Sequence, residues 1–201
     1  MVMQDAPGAG DGADTPRERI LQAAARLFAE HGFHATGMKE LERETGLGRS
    51  SLYYQFSSKE EILFEILTRY LRALIAYGNG LLAEPMTAEE RLRALSRRVM
   101  ETIAHHRPEL TVCFREQHAI GAERHEAVQA LHRDYEAVWA AVLQRGVDDG
   151  SFRRGGPFTV KALLGLHHYS YLWLRPDGSR TPREIADEFV DLVLDGLASG
   201  D

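Results

Sequence analysis

The chain has 201 residues, 44% of them apolar and 27% charged, enough length and apolar content to bury a core without covalent staples. Its one cysteine, Cys113, rules out an internal disulfide framework and a cysteine-based zinc finger, and agrees with a reducing cytoplasm. The formal net charge of −6 gives no general reason to bind nucleic acid, no apolar run approaches the roughly 18 residues of a membrane span, and the N-terminus lacks the cationic-then-apolar order of a secretion signal.

Residues 1–14 are rich in Gly, Ala and Asp and read as a disordered tail. Order is expected from Thr15-Pro16-Arg17-Glu18, where Thr15 suits an N-cap, Pro16 the first helical position and Glu18 a capping box. Ile20, Leu21, Ala24, Leu27 and Phe28 line one helix face, and Gly32 ends that helix. Thr36 is the expected cap of a second helix over 37–44, Gly46 marks a tight turn, and a third helix is expected over 49–55. Ser57 and Ser58, each three residues before a Glu, open a long helix over 58–80. Similar punctuation predicts helices over 88–105, 108–120, 123–149, 157–174 and from Thr181 to about 197. No segment alternates with period two, so the expected fold is all-α with about nine helices.

Three short helices within 15–60 suggest a helix-turn-helix whose third helix enters the major groove. Leu41, Leu47, Leu52 and Phe56 form its apolar framework, and Arg49, Ser50, Ser51, Tyr53, Tyr54 and Gln55 fall between them. The local charge is close to neutral, seven cations against six anions over 15–60, so the case for DNA rests on this pattern and not on net charge.

The run from Gly46-Leu47-Gly48-Arg49 through Leu52-Tyr53-Tyr54-Gln55-Phe56 to Ser58-Lys59-Glu60 resembles the signature of the TetR family of transcription regulators, as does the stretch from Ala24 through Gly32-Phe33 to Thr36. The resemblance covers about residues 17–66. It implies a dimeric repressor that binds a palindromic operator in double-stranded DNA. By that resemblance Arg49 and Ser50 reach base edges, Ser51, Tyr53 and Tyr54 reach phosphates, and Lys59 holds a phosphate at a helix start, with Thr36 and Lys39 in similar roles. Gly48 replaces a common Ser cap, Ser50 a common Gly and Glu42 a common small apolar residue, which leaves the operator sequence open.

Residues 61–201 are expected to bind ligand and dimerise. The run Leu163 to Gly178, with Thr181-Pro182 and Glu184-Ile185-Ala186, is similar to a TetR branch that responds to acyl-CoA thioesters. That implies a small lipophilic effector, most simply an acyl-CoA, whose binding releases DNA. Phe114, Tyr135, Trp139, His167, Tyr171 and Trp173 are candidate lining residues, and Arg97, Arg98, Arg107, Arg115 and Arg124 candidate cations for a CoA head. The stripe Val160, Leu163, Leu164, His167, Tyr171 and Leu174, with Ile185, Phe189, Leu192, Val193, Gly196 and Leu197, is the expected homodimer seam.

Three rival readings stand against this one. His118, His125 and His132 recur every seven residues, but no His-x3-His spacing occurs, and no metal or cofactor is expected. No phosphate loop or nucleophile motif points to an enzyme. A helical interaction module without DNA binding, or a regulator of a non-CoA effector, stays as the alternative.

Overall fold

The computed structural model describes residues 15–175 and 177–195, which hold nine α-helices and no strand. They are α1 (Pro16–His31), α2 (Met38–Thr45), α3 (Arg49–Gln55), α4 (Lys59–Ala83), α5 (Ala88–His105), α6 (Arg107–Glu116), α7 (Ala122–Asp148), α8 (Pro157–Tyr169) and α9 (Pro182–Asp195), with a 3-10 turn at Ser170–Leu172. The expected tail, Gly196 and Leu197 lie outside the described residues. No helix among them is long and apolar enough to cross a membrane.

Local chemistry accounts for most boundaries. The Thr15 hydroxyl accepts from Glu18 N (3.2 Å), but the Glu18 carboxylate turns away to Arg69, so no reciprocal capping box forms there. Thr87 with Glu90 and Thr181 with Glu184 do form reciprocal pairs. Gly46 ends α2 in the left-handed region at φ +67°, which lets the chain turn tightly into α3. Two expected helices run shorter: α6 stops at Glu116, and α8 tightens after Tyr169, where the Ser170 hydroxyl donates to His167 O (2.6 Å).

Two apolar clusters result. One joins α1–α3 and the first half of α4, from Ile20 and Phe28 to Leu52, Phe56 and Ile66, and it also takes Val112 of α6, Ile120 of the turn after it and Val128 of α7. The other fills the body between α4, α5, α7, α8 and α9 around Leu92, Trp139, Leu163 and Ala186. There α4 and α7 approach closely at Gly78, where a Cβ would stand 2.2 Å from Val138 Cγ1. Arg91, 6% exposed, closes the α4–α5 turn by donating to the carbonyls of Leu81, Glu84 and Met86. Arg93 and Arg97 bind Asp191 and Asp187, tying α5 to α9.

Candidate nucleic-acid interface and interior cavity

Helix α3 is held from behind by α1. The Arg17 guanidinium donates to Gln55 O (3.0 Å) and lies 4.1 Å over the Phe56 ring, while Arg19 donates to Thr45 O. Two arginines of one helix thus satisfy carbonyls at the C-terminal ends of α2 and α3. Thr45 adds a hydroxyl bond to Leu41 O (2.7 Å) and accepts from Leu47 N (3.3 Å). With Leu52 and Phe56 buried beneath, α3 turns Arg49, Ser50, Tyr53 and Tyr54 outward, Tyr54 being 87% exposed. The Arg49 guanidinium stands 5.5 Å from the Tyr53 ring. Ser51 is half-buried and Lys39, at the start of α2, is exposed. The outer face therefore offers a planar cation, hydroxyls and a free aromatic on a short rigid helix, which suits base edges and phosphates.

Two expected contacts are placed differently. Thr36 does not cap α2, since Gly37 does; its buried hydroxyl donates to Gly32 O (3.0 Å) and Leu27 O (3.4 Å), closing the turn after α1. The Lys59 ammonium donates to Phe33 O (2.6 Å) and Thr36 O (2.7 Å) and sits 4.3 Å over the Phe33 ring, so it is occupied within the protein. Burial lowers its pKa, and the Glu116 carboxylate opposes that shift. Glu116 also accepts from Phe33 N (3.2 Å), and Glu60 binds Gly121 N (2.9 Å) and Arg124 (3.3 Å), so charged groups link the head to α6 and α7.

A cavity of about 270 Å³ lies where the head meets the body. Its walls are Glu18, Leu21 and Gln22 of α1, Ile66, Arg69, Tyr70 and Ala73 of α4, Arg98 and Thr102 of α5, and His106 with Glu109 at the start of α6. The Glu18–Arg69 pair spans it from head to body. Of these residues the sequence offered only Arg98 as a ligand contact, with Glu18 and Leu21 read as helix cap and helix face. The cavity draws on four helices far apart in the chain, so no local pattern announces it.

None of the six candidate ligand residues lines that cavity. Tyr135, Trp139 and His167 are fully buried, Tyr171 is half-buried, and Phe114 and Trp173 are about half exposed. His167 is a core staple. Its Nδ1 meets Leu163 O (2.7 Å) and its Nε2 meets Ser96 Oγ (2.7 Å), and burial drops its pKa to about 4. The neutral ring then donates from Nδ1 and accepts at Nε2. Tyr171 Oη pairs with Thr111 Oγ1 (2.6 Å) and its ring is 5.0 Å from Phe114. Of the other candidate cations, Arg97 is bound to Asp187 and Arg124 to Glu60, Arg107 reaches Leu174 O (3.4 Å), and Arg115 is exposed.

The expected dimer stripe faces the wrong way. Val160, Leu163, Leu164, His167 and Leu174, with Ile185, are buried inside the chain, because α8 and α9 close the body core. The opposite face of α8 presents Phe158 (86% exposed), Ala162, Gly165 and Tyr169 (66%), a spacing of one helix side, and Leu172 and Trp173 continue it. Leu192 and Val193 of α9 are exposed as expected.

A clamped helix-turn-helix on an all-helical body with a cavity at their junction is the architecture of a ligand-responsive class of transcription regulator. The chain belongs to the TetR family: residues 20–66 match the model for bacterial regulatory proteins of the tetR family, and residues 85–197 the tetracyclin repressor-like C-terminal domain. The HTH-type transcriptional repressor KstR2 of Rhodococcus jostii is 33% identical over 186 residues, covering 91% of each chain. Among solved structures, the regulator PfmR of Thermus thermophilus is similar with a TM-score of 0.81 and 33% identity, over 90% of this chain and all of that one. The ketosteroid transcriptional regulator KstR2 of Mycobacterium tuberculosis is similar with a TM-score of 0.80 and 26% identity, over 94% and 98%.

Proposed function

We propose that this regulator is a ligand-released repressor acting as a homodimer on a palindromic operator in duplex DNA, and that it works in the cytoplasm. Residues 15–60 form the reading head and 61–201 the effector-binding and dimerising body. Arg49 and Ser50 read base edges, while Ser51, Tyr53, Tyr54 and Lys39 meet the backbone. Thr36 and Lys59 act from behind, by holding the turn that presents α2. The observation that carries this reading is α3 itself: an 87%-exposed Tyr54 beside Arg49 on a helix anchored by buried Leu52, with Phe56 buried just after it and its end clamped by Arg17.

The exposed side of α8, with Leu192 and Val193 of α9, is the surface that fits a second copy, since apolar groups so regularly spaced and bare are what an isologous helix pairing buries. The effector is a small lipophilic molecule, most simply an acyl-CoA. A volume of about 270 Å³ is just under the usual range of ligand sites, roughly 300–1,000 Å³, so it suits an acyl part while the nucleotide stays outside, near Arg98. Because α1 supplies one wall, occupancy that the DNA-bound head spacing disfavours lowers operator affinity by that difference.

Titration onto the duplex upstream of the coding region, at fixed salt, with and without a long-chain acyl-CoA tests the reading. Tight binding abolished by the thioester is expected. Tight binding that ignores it discards the acyl-CoA, and absence of specific binding to operator DNA discards the repressor reading.

A further inference from the structure

The tetrapeptide Thr-Pro-Arg-Glu occurs twice, as Thr15–Glu18 at the start of α1 and as Thr181–Glu184 at the start of α9. In both copies the Glu amide donates to the Thr hydroxyl oxygen at 3.2 Å. At α9 the carboxylate completes the box, accepting from Thr181 N (2.7 Å) and Thr181 Oγ1 (2.9 Å). At α1 the Glu18 carboxylate leaves that place and pairs with Arg69 of α4. One local sequence thus takes two states, and the guanidinium within reach makes the difference. The state seen at α9 is open to Glu18 by side-chain rotation alone, because the backbone half of the box already stands.

The guanidinium that Glu18 meets lines the head–body cavity. Arg98 of α5 lines it too, and among the described residues its side chain meets no carboxylate or carbonyl, only the Tyr77 ring at 5.5 Å. Glu109 is the other carboxylate in the wall and has His106 at 3.6 Å. Two guanidiniums therefore stand with two carboxylates. With Glu18 turned back to Thr15, the same two guanidiniums stand with one carboxylate, and one positive charge is left to be matched. Planar guanidinium forks match a phosphate or carboxylate oxyanion by paired N–H donors.

We infer that Arg69 and Arg98 form an oxyanion seat at the head–body junction, that Glu18 fills part of it in the resting protein, and that a phosphate oxyanion takes Arg69 and sends Glu18 back to its capping place. This rests on the reading that the effector occupies that cavity; the nucleotide of a thioester and free phosphate carry the same group. The Glu18 and Arg69 side chains are 33% and 51% exposed, so their pair is weak enough to be exchanged. Arg69 trades one anion for another, and Glu18 trades a guanidinium for two donors on Thr15. The exchange cuts a direct tie between head and body. It does so next to Arg17, which clamps the end of α3 through Gln55 O, so an anion in the seat acts on the mounting of the reading helix.

The test follows the Thr15 amide resonance of the full chain during titration with three probes. Inorganic pyrophosphate is the bare oxyanion. Octanoyl-CoA and octanoyl-pantetheine share an acyl chain and differ in the nucleotide phosphates. Pyrophosphate and octanoyl-CoA are expected to shift the resonance saturably, and octanoyl-pantetheine to leave it in place. Glu18→Gln keeps a side chain able to cap α1 but removes the competing charge, so pyrophosphate should bind up to about fivefold more tightly. Arg69→Gln should abolish the shift, while a cooperative melt confirms folding. Equal pyrophosphate affinity in parent and both variants, or binding that leaves the Thr15 amide unmoved, overturns the inference. Parallel operator titration separates the two readings. A Thr15 shift without DNA release by octanoyl-CoA keeps the seat and removes the release mechanism. Release by octanoyl-CoA at equal potency from parent, Glu18→Gln and Arg69→Gln proteins keeps release and removes the seat.

Discussion

In the head, polar groups drawn inward are matched one by one. Lys59 has two carbonyls and a ring, Arg17 a carbonyl and a ring, Thr36 and Thr45 each a carbonyl. Between α4, α7 and α8 the body gives Tyr135 and Trp139 no partner beyond each other and packs His167 and His168 at the cost of their charged forms. The two cores bury similar aliphatic residues, so the contrast lies in what each must do. The head must hold α3 in one geometry, because base readout tolerates little displacement. The body must accept a guest, and a less closely matched interior is one that can give way.

Breaking the head's core should give the largest effect. Phe56→Ala removes a 1%-exposed ring on which the Arg17 guanidinium rests, and a loss of about 3–5 kcal/mol is expected in urea unfolding. Val112, Ile120 and Val128 of the body share that cluster, so head and body should lose structure in one transition by circular dichroism. Separate transitions would show that the head's core is independent.

Acid should break the body next. His167 has a pKa of about 4 folded against an ordinary value of 6.5. Below about pH 6.5 the unfolded chain takes up a proton that the folded chain refuses, so stability falls as pH drops from about 6.5 to 4, by roughly 3 kcal/mol in all. His168, whose pKa is lowered by burial, adds to the same slope. Denaturant midpoints across that window check this, and a flat profile would mean that His167 takes its proton without leaving the core.

Smaller effects are expected at the DNA face. Tyr54→Ala should weaken operator binding with no change in melting, since the side chain is 87% exposed. Arg49→Ala should cost about 1–3 kcal/mol at one base pair and relax preference there. Lys59→Met tests placement: a role behind the interface predicts lower stability with an unaltered salt slope, whereas a phosphate contact predicts a slope reduced by about one.

How much of this could be read beforehand follows from the range of the interactions. Helix starts at Thr15, Ser58, Thr87 and Thr181 were legible because a cap is written within four residues. The framework Leu41, Leu52 and Phe56 was legible from its spacing around Gly46. Thr36 was misplaced because a Thr before a helix can bond forward to cap it or backward to the preceding turn, and only packing against Leu27 and Gly32 decides. The α8 stripe was assigned to the wrong partner for a related reason. Both faces of α8 are apolar, so periodicity showed two candidate faces and the body core claimed the one with Leu163 and His167. The cavity was illegible, being assembled from α1, α4, α5 and α6 through contacts that no local run records.

The smallest effect bears most directly on the contrast. Tyr135→Phe deletes a hydroxyl with no partner beyond the Trp139 indole, and Ser96→Ala deletes one that bonds His167 Nε2 at 2.7 Å. Removing a paired group forfeits its bond and leaves the partner dry, about 1–3 kcal/mol, whereas removing a hydroxyl so poorly matched forfeits little and relieves a desolvated O–H. Ligand-free Tyr135→Phe protein should therefore be as stable as the parent or slightly more so, while Ser96→Ala should be clearly less stable. The two denaturant midpoints measured side by side decide it. If Tyr135→Phe also loses about 1 kcal/mol, the hydroxyl is already satisfied in the free protein, by water or a neighbour, and the body's interior is matched like the head's. If the midpoint stays or rises, the resting protein holds a destabilised donor, and the body's interior is matched less closely than the head's.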